Sequence, residues 1–328
     1  MSDKPEILPF WLRVLKCARD NIKPALSVIG FLLRIMLPVS FAVMLLKTSG
    51  VLFYVSRFMN PLMSFLGLPG EAALAYISAI FINIYSAIAV IETLSLTGKQ
   101  LIILATMCLI AHNFFVECVV LKKAGSSFRK MVVLRLFNSL LAGLVMSFIV
   151  PGQIGSFAGF AAKTTNPHIG LNLALFLEGL GPWFRDSVFL VLQIFLIVFA
   201  VMFLQRLLAE FGLIKRLSRI AAVLMGFLGL SADTAYVWLI ANTVGVAYGA
   251  GVIIDEVREG SLSRVDADLF NHHAAISHSQ IEDTVLFVSL GAPYLWIALP
   301  RFILAIIVVW VERARRAIFR SSFRVKIV

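Results

Sequence analysis

Residues 65–72 read Phe-Leu-Gly-Leu-Pro-Gly-Glu-Ala, and residues 227–234 read Phe-Leu-Gly-Leu-Ser-Ala-Asp-Thr. The second stretch follows the first by 162 positions, the difference between 227 and 65. The same spacing pairs Leu45-Leu46 with Leu207-Leu208, Gly50 with Gly212, Ser56-Arg57 with Ser218-Arg219, and Glu71 with Asp233. A segment that recurs in this way indicates an internal duplication.

The composition is that of an integral membrane protein. Of the 328 residues, 60% are hydrophobic and 14% are charged, whereas about 25% of the residues in an ordinary soluble domain are charged. The mean hydropathy is +0.94, and a soluble core could not enclose so much apolar surface, so lipid must surround much of the chain. The net charge of +11 comes from short basic clusters, which excludes a continuous nucleic-acid-binding stripe and favours a membrane surface.

Polar residues extend the duplication. After an insertion of four residues the spacing becomes 166, and it pairs His112 with His278, Asn113 with Ser279, Glu117 with Asp283, Gly125 with Gly291, and Arg135 with Arg301. Matches of Leu and Gly arise easily by chance in an apolar chain, but polar residues are costly in a membrane and rarely recur in order. The repeats therefore cover about residues 26–151 and 184–313.

The apolar runs predict about eight to ten membrane segments, at roughly 20 residues per spanning helix. The long runs are 26–48, 72–97, 99–121, 127–151, 184–210, 234–257, 268–290 and 292–312. Two shorter and more amphipathic runs, 51–68 and 213–230, either span the membrane or lie in its interface.

Basic clusters orient these segments, because Lys and Arg concentrate on the cytoplasmic side. The clusters lie at Lys16–Lys23, Lys122–Lys130, Arg206–Arg219 and Arg313–Lys326. We therefore predict a multi-pass protein of the cytoplasmic (inner) membrane with both termini in the cytoplasm. Residues 1–25 and 314–328 form basic cytoplasmic segments, and residues 152–183 form an extracytoplasmic linker. The two halves then have opposite orientations, so the fold class is all-α, with two inverted repeats of about five membrane elements each.

Both repeats contain a segment that favours a broken or re-entrant helix. In the first half it includes Asn83 and Tyr85, and in the second half it includes Asn242, Thr243 and Tyr248 among three glycines. Matching interruptions in both halves point to a binding site. The alternative is that the glycines only allow helices to pack closely.

The most polar apolar run is 271–284, interpreted as one continuous helix on which five polar residues share an arc of about 140°. A metal site on this helix would use His278 and Glu282, which are four residues apart. A proton relay or substrate cluster is a second interpretation, because His titrates near neutral pH. The third is a buried hydrogen-bond network that joins the halves, with Arg135 and Arg301 as counter-charges or as lipid-interface anchors.

Three motifs resemble the Gate, or nucleoside-recognition, family of membrane proteins: residues 65–72, their copy at 227–234, and Ser-His-Ser-Gln-Ile-Glu-Asp at 277–283. That family includes spore maturation membrane proteins, the gate region of the bacterial ferrous iron transporter and a related region of concentrative nucleoside transporters. The resemblance extends over nearly the whole chain as two Gate units, and it implies a solute permease with paired broken or re-entrant helices.

The sequence thus predicts a secondary transporter of a small polar solute, nucleoside-like or ion-coupled, and predicts neither enzymatic activity nor a cofactor. The alternatives are a divalent metal ion transporter, a membrane-embedded enzyme and a non-transporting scaffold. Its expected partners are the lipid bilayer and a small solute or ion, with homo-oligomerisation left open. The candidate binding residues are Glu71, Asn83, Tyr85, His112, Asn113, Glu117, Asp233, Asn242, Thr243, Tyr248, His272, His278, Ser279, Gln280, Glu282 and Asp283.

Overall fold

The structure is a computed structural model that describes residues 9–152, 154, 156–158, 173–247 and 249–324. Its described residues are overwhelmingly helical, which confirms the predicted all-α membrane fold. The helices are α1 (Phe10–Thr48), α2 (Val51–Phe65), α3 (Ala72–Phe81), α4 (Ile84–Ile91), α5 (Gly98–Ala111), α6 (Phe114–Lys123), α7 (Phe128–Ile149), α8 (Leu173–Glu210), α9 (Leu213–Met225), α10 (Ala235–Thr243), α11 (Ala250–Arg258), α12 (Arg264–Ile276), α13 (Glu282–Ser289) and α14 (Tyr294–Arg324). Two short strands, β1 (Ser95–Thr97) and β2 (Ser156–Ala158), pair antiparallel.

Fewer helices cross the membrane unbroken than the apolar runs predict. Among the described residues, α1, α7, α8 and α14 are long and apolar enough to span it, and the pair α5–α6, bent by 41°, makes a fifth candidate. The runs predicted at 72–97, 99–121, 234–257 and 268–290 are each split into two helices. The breaks expected near Asn83 and Asn242 are confirmed, whereas those inside 99–121 and 268–290 were not predicted.

The two shorter runs cannot cross as continuous helices. With 15 residues in α2 and 13 in α9, these helices are about 22 and 20 Å long at 1.5 Å per residue. The hydrocarbon core is about 30 Å thick. Both helices expose large apolar side chains, including Phe58 on α2 and Val223 on α9. Their length and exposed apolar faces fit the interfacial alternative.

Two spanning helices begin earlier than the apolar runs suggest. Helix α1 starts at Phe10, so the basic segment before residue 26 continues directly into the first span. Helix α8 starts at Leu173 and includes the last part of the predicted linker 152–183. Half of that linker, residues 153, 155 and 159–172, lies outside the described residues.

The backbone repeats with the spacing found in the sequence. Helices α2–α7 are followed in the same order by α9–α14. Left-handed backbone recurs at Gly67 and Gly229, with φ of 73° and 75°, and at Asn113 and Ser279, with φ of 47° and 46°. Non-glycine residues seldom adopt this conformation, so its recurrence at paired positions shows that the two halves have closely similar local structure.

Equivalent helices of the two halves run antiparallel beside each other. Near the start of α1, Arg13 pairs with Glu210 at the end of α8, at 2.8 Å. Near the end of α1, Ser40 accepts a hydrogen bond from Trp183 Nε1 near the start of α8, at 3.2 Å. Helices α7 and α14 are likewise antiparallel. Lys130 at the start of α7 pairs with Glu312 far along α14, at 2.9 Å, while the last part of α7 and the first half of α14 line one cavity.

These contacts gather the basic clusters at one end of the molecule. The end of α8 leads directly into α9 through Gly212. The loop that follows α9 contacts the far part of α14, where Arg313 donates to the carbonyl oxygen of Gly229 at 2.9 Å. Since Glu312 also binds Lys130, the starts of α1 and α7 and the far parts of α8 and α14 share this end.

Helix α4 of the broken pair α3–α4 and helix α11 of the equivalent pair α10–α11 have different packing partners. Helix α4 packs against α1, α3 and α5, whereas its counterpart α11 packs against α10 and α6. Helix α8, the counterpart of α1, contacts α13 instead. The two halves therefore share their element order and local backbone but not all of their helix contacts, and α4 and α11 differ in their neighbours.

Gly70 permits the closest backbone approach in the loop between α2 and α3. A Cβ atom there would overlap the backbone carbonyl group of Ser56 on α2. We expect Gly70→Ala to destabilise the protein by about 1–3 kcal/mol, the usual cost of overpacking. The measurement is the melting temperature of the detergent-purified protein. Gly226→Ala is the control, because no atom lies within 4 Å of a Cβ placed at Gly226; equal shifts for both variants would contradict the expectation.

Candidate functional site

The centre of the protein lies where the two unpredicted breaks meet. Helix α5 ends at Ala111 and α6 begins at Phe114, while α12 ends at Ile276 and α13 begins at Glu282. The interpretation of residues 271–284 as one helix with a single polar arc is therefore wrong. The i,i+4 pairing of His278 with Glu282 fails for the same reason, since the two residues do not share a helix.

Each break is stabilised by a backbone hydrogen bond from another helix. The N–H of Asn113 donates to the carbonyl oxygen of Ala79 on α3 at 3.0 Å, and the N–H of Ser279 donates to that of Ala241 on α10 at 2.9 Å. Inside a membrane an unpaired backbone group is costly, so irregular backbone requires such partners. The broken pairs α3–α4 and α10–α11 thus supply the hydrogen-bond acceptors that stabilise the breaks in α5–α6 and α12–α13.

Four ionisable side chains, which we call the central cluster, converge at these breaks: His112, Glu117, His278 and Asp283. His112 Nε2 lies 3.3 Å from Glu117 Oε1 and 3.2 Å from Asp283 Oδ2, and His278 Nε2 lies 3.2 Å from Glu117 Oε2. The imidazole centroids are 5.1 Å apart. All four residues are buried.

The contacts of the central cluster are reciprocal. His112 of the first half meets Asp283 of the second half, and His278, the repeat partner of His112, meets Glu117, the repeat partner of Asp283. The rings of the two equivalent histidines also lie against each other, tilted by 35°. A two-fold axis between two similar units generates reciprocal contacts of this kind.

Two buried arginines fasten the loops that carry the histidines. Arg135 Nη2 lies 2.7 Å from Glu117 Oε2 and donates to the carbonyl oxygen of His112 at 2.8 Å. Arg301 Nη2 donates to the carbonyl oxygen of His278 at 2.7 Å. Both side chains are fully buried, so the interpretation as lipid-interface anchors is wrong, and the counter-charge interpretation is confirmed for Arg135.

The hydrogen bonds of the imidazoles determine which nitrogen faces the carboxylates. His112 Nδ1 lies 3.2 Å from the carbonyl oxygen of Leu109, and His278 Nδ1 lies 2.7 Å from that of Ala274. A carbonyl oxygen only accepts hydrogen bonds, so each Nδ1 carries a proton. Each Nε2 is then an acceptor in the neutral ring, and it points at carboxylate oxygens.

The broken segments supply further polar groups beside this cluster. Tyr85 of α4 donates its hydroxyl proton to Glu282 of α13 at 3.0 Å. Asn83 caps α4 by accepting from the N–H of Ser86 at 2.8 Å. Ser279 Oγ lies so close to Gly245, in the break between α10 and α11, that a side chain at Gly245 would not fit.

Some predicted residues lie apart from the central cluster. Glu71 is half-buried and Asp233 is exposed, at the starts of the helical segments that follow α2 and α9. Asn242 and Thr243 bond to carbonyl groups of their own helix, and Gln280 contacts Ser277. Tyr248 lies outside the described residues.

His272 belongs to a second group with Asp268 and Glu312. The carboxylates of this group are already paired, since Glu312 binds Lys130, Arg315 and Arg316, and Arg316 also binds Asp268. These charges connect α12 and α14 of the second half with α7 of the first. The sequence predicts His272 in the site only if residues 271–284 form one helix, and the break at residues 277–281 removes that condition.

Loss of the Arg135 guanidinium would leave Glu117 without its buried counter-charge. We expect Arg135→Met to destabilise the protein by about 3–5 kcal/mol, and Arg135→Met combined with Glu117→Gln to regain most of that loss. Melting curves in detergent measure both variants. Arg185→Met is the control, because the Arg185 side chain is 66% exposed in its pair with Asp186. A double variant no more stable than Arg135→Met would contradict the expected coupling.

Comparisons with known proteins agree with this architecture. The model of the Gate family, described as nucleoside recognition, matches residues 31–128, within the first half of the chain. YvoD, an uncharacterized membrane protein of Bacillus subtilis (strain 168), is 31% identical over 265 residues, which cover 79% of this chain and 82% of YvoD. No solved structure matches the chain. The resemblance to the Gate family is thus confirmed, and the chain belongs to this family of membrane proteins, whereas a second Gate unit in residues 184–313 stays a prediction.

Proposed function

We propose that the protein is a membrane permease, a secondary transporter that moves a small polar solute or ion by alternating access between two inverted repeats. The central cluster carries this proposal, because the two halves share it reciprocally and bury it completely. Ionisable side chains are expensive inside a membrane and commonly mark a transport pathway. In transporters built from inverted repeats, the binding site lies between the repeats near the middle of the bilayer.

The course of the equivalent helices supports the inverted relation of residues 26–151 and 184–313. A helix and its repeat partner that run antiparallel, as α1 and α8 do, are expected when the two halves have opposite orientations in the membrane. The basic clusters at one end of the molecule support a cytoplasmic position for that end. Both termini are then cytoplasmic in a protein of the inner membrane, and the linker 152–183 is outside.

The different positions of α4 and α11 support a protein with two conformations. Alternating access requires the two halves to exchange arrangements, so a single conformation must be asymmetric. Helix α4 lies against α1, whereas α11 lies away from α8 and against α6. In the other conformation, we propose, α11 packs against α8 and α4 leaves α1.

The other functional classes have weaker support. A scaffold that holds partner proteins would present its polar groups to those partners, but the central cluster faces the protein interior. A membrane-embedded enzyme would need only one catalytic site, on one side of the membrane. Such a site does not explain why a His and a carboxylate recur in both halves. A permease uses both copies, one from each moving half.

The test is uptake into proteoliposomes that contain the full-length protein. The solutes offered are uridine, adenosine, glutamate and Zn²⁺, and we expect at least one to enter faster than into protein-free liposomes. Glu117→Gln and Asp283→Asn should each slow that uptake about tenfold or more, because a hydrogen bond or contact to a buried charge is worth about 1.5–3 kcal/mol.

Glu210→Gln is the matched control, because Glu210 pairs with Arg13 at the partly exposed end of the bundle. It should keep the uptake rate of the unaltered protein. Monodisperse elution in detergent shows that each variant is folded. Folded Glu117→Gln and Asp283→Asn proteins with unchanged uptake would contradict the proposal that the central cluster is the transport site.

A further inference from the structure

We propose that the central cluster binds a divalent transition-metal ion, with His112, His278 and Glu117 as ligands and Asp283 beside His112, and that this ion is the transported substrate. The identity of the substrate rests on the permease function proposed above. The binding site itself rests on geometry alone.

The first support is that electron-pair acceptors face each other. Both Nδ1 atoms donate to backbone carbonyls, so each ring, in its neutral form, turns an unprotonated Nε2 toward carboxylate oxygens. His278 Nε2 and Asp283 Oδ2 are buried and make no hydrogen bond within the described part of the chain. Such an arrangement is repulsive unless a proton on Nε2 or a metal ion lies between the groups, and a metal ion can serve both histidines at once.

The second support is the spacing of the donor atoms. The three nitrogen–oxygen distances are 3.2, 3.2 and 3.3 Å. Ligands about 2.0–2.1 Å from a tetrahedral Zn²⁺ ion are separated by about 3.4 Å. One donor atom from each of His112, Glu117 and His278 lies within 4.8 Å of the others. The spacing of these donor atoms therefore matches the size of a metal ion.

The third support is the outer shell of the central cluster. A metal-bound histidine usually donates its other ring N–H to a carbonyl or carboxylate group, and the ligating carboxylate is itself hydrogen-bonded. Both imidazoles donate to backbone carbonyls, and Arg135 contacts Glu117 at 2.7 Å. The orientation of these ligands is thus set before an ion arrives.

The donor types select the class of ion. Two imidazole nitrogens with carboxylate oxygens suit Zn²⁺, Fe²⁺ or Mn²⁺, whereas Mg²⁺ and Ca²⁺ prefer oxygen ligands throughout. The second group, Asp268, His272 and Glu312, offers similar donors, but Lys130, Arg315 and Arg316 already neutralise its carboxylates. The central cluster is the better metal site, although Arg135 balances part of its charge.

The binding test uses the full-length protein, purified in detergent and stripped with a chelator. Titration with Zn²⁺ should show saturable binding and a higher melting temperature, since a ligand that binds only the folded state stabilises it. Mg²⁺ should do neither. X-ray absorption at the zinc edge should show two imidazoles and oxygen ligands at about 2.0–2.2 Å.

Variants locate the bound ion. His112→Ala and His278→Ala should each weaken Zn²⁺ binding more than about 100-fold, because even outer-shell partners are worth about 10–100-fold. His273→Leu is the control, because His273 is another buried imidazole of α12, in contact with the rings of Trp238 and Phe302. The absorption spectrum of the unaltered protein needs no variant, so it tests the site even where a variant does not fold.

The outcomes separate the two proposals. Absence of saturable Zn²⁺ binding, a spectrum without imidazole ligands, or a loss of binding in His273→Leu equal to that in His278→Ala would overturn the metal site. Uridine uptake by a protein that binds no metal would leave the permease standing and overturn only its metal substrate. Zinc bound by the cluster without zinc uptake in proteoliposomes would retain the site and overturn its role in transport.

Discussion

Two imidazoles and two carboxylates, one of each from either half, meet at the buried centre of this protein, and the rest of the structure is arranged around their contacts. His112 reaches across to Asp283, and His278 reaches across to Glu117. The histidines can face each other because each lies on a break between two helices rather than on a helix. Buried charge without a partner is strongly destabilising, so the two halves depend on each other at this point.

The breaks bring these residues together only because other parts of the chain satisfy their backbone. Ala79 and Ala241 supply carbonyl oxygens to the left-handed residues Asn113 and Ser279. Arg135 and Arg301 bind the carbonyl oxygens of the two histidines. The membrane interior offers no water to these backbone groups, so they need partners within the protein. Each half supplies them through the same set of hydrogen bonds.

Helices α4 and α11 connect the surroundings of the central cluster to the proposed conformational change. Helix α4 is tied to the second half through Tyr85 and Glu282, while α11 occupies a different place from α4 in its own half. A rearrangement of either helix would alter the surroundings of the central cluster. The family assignment rests on similarity to other membrane proteins. The proposed metal site rests instead on the donor atoms of the central cluster in this chain.

The sequence by itself determined the membrane class, the all-α fold, the Gate family and the breaks near Asn83 and Asn242, because composition, repetition and weak helix formers are local properties. It also singled out His112, Glu117, His278 and Asp283, since polar residues repeated in an apolar chain stand out. Only the tertiary structure decided that the run 271–284 is broken, that His278 faces Glu117 rather than Glu282, and that His272 lies elsewhere. The physical reason is that the break at Ser279 is stabilised by the carbonyl oxygen of Ala241, 38 residues earlier, and local helical periodicity carries no information about such a distant partner.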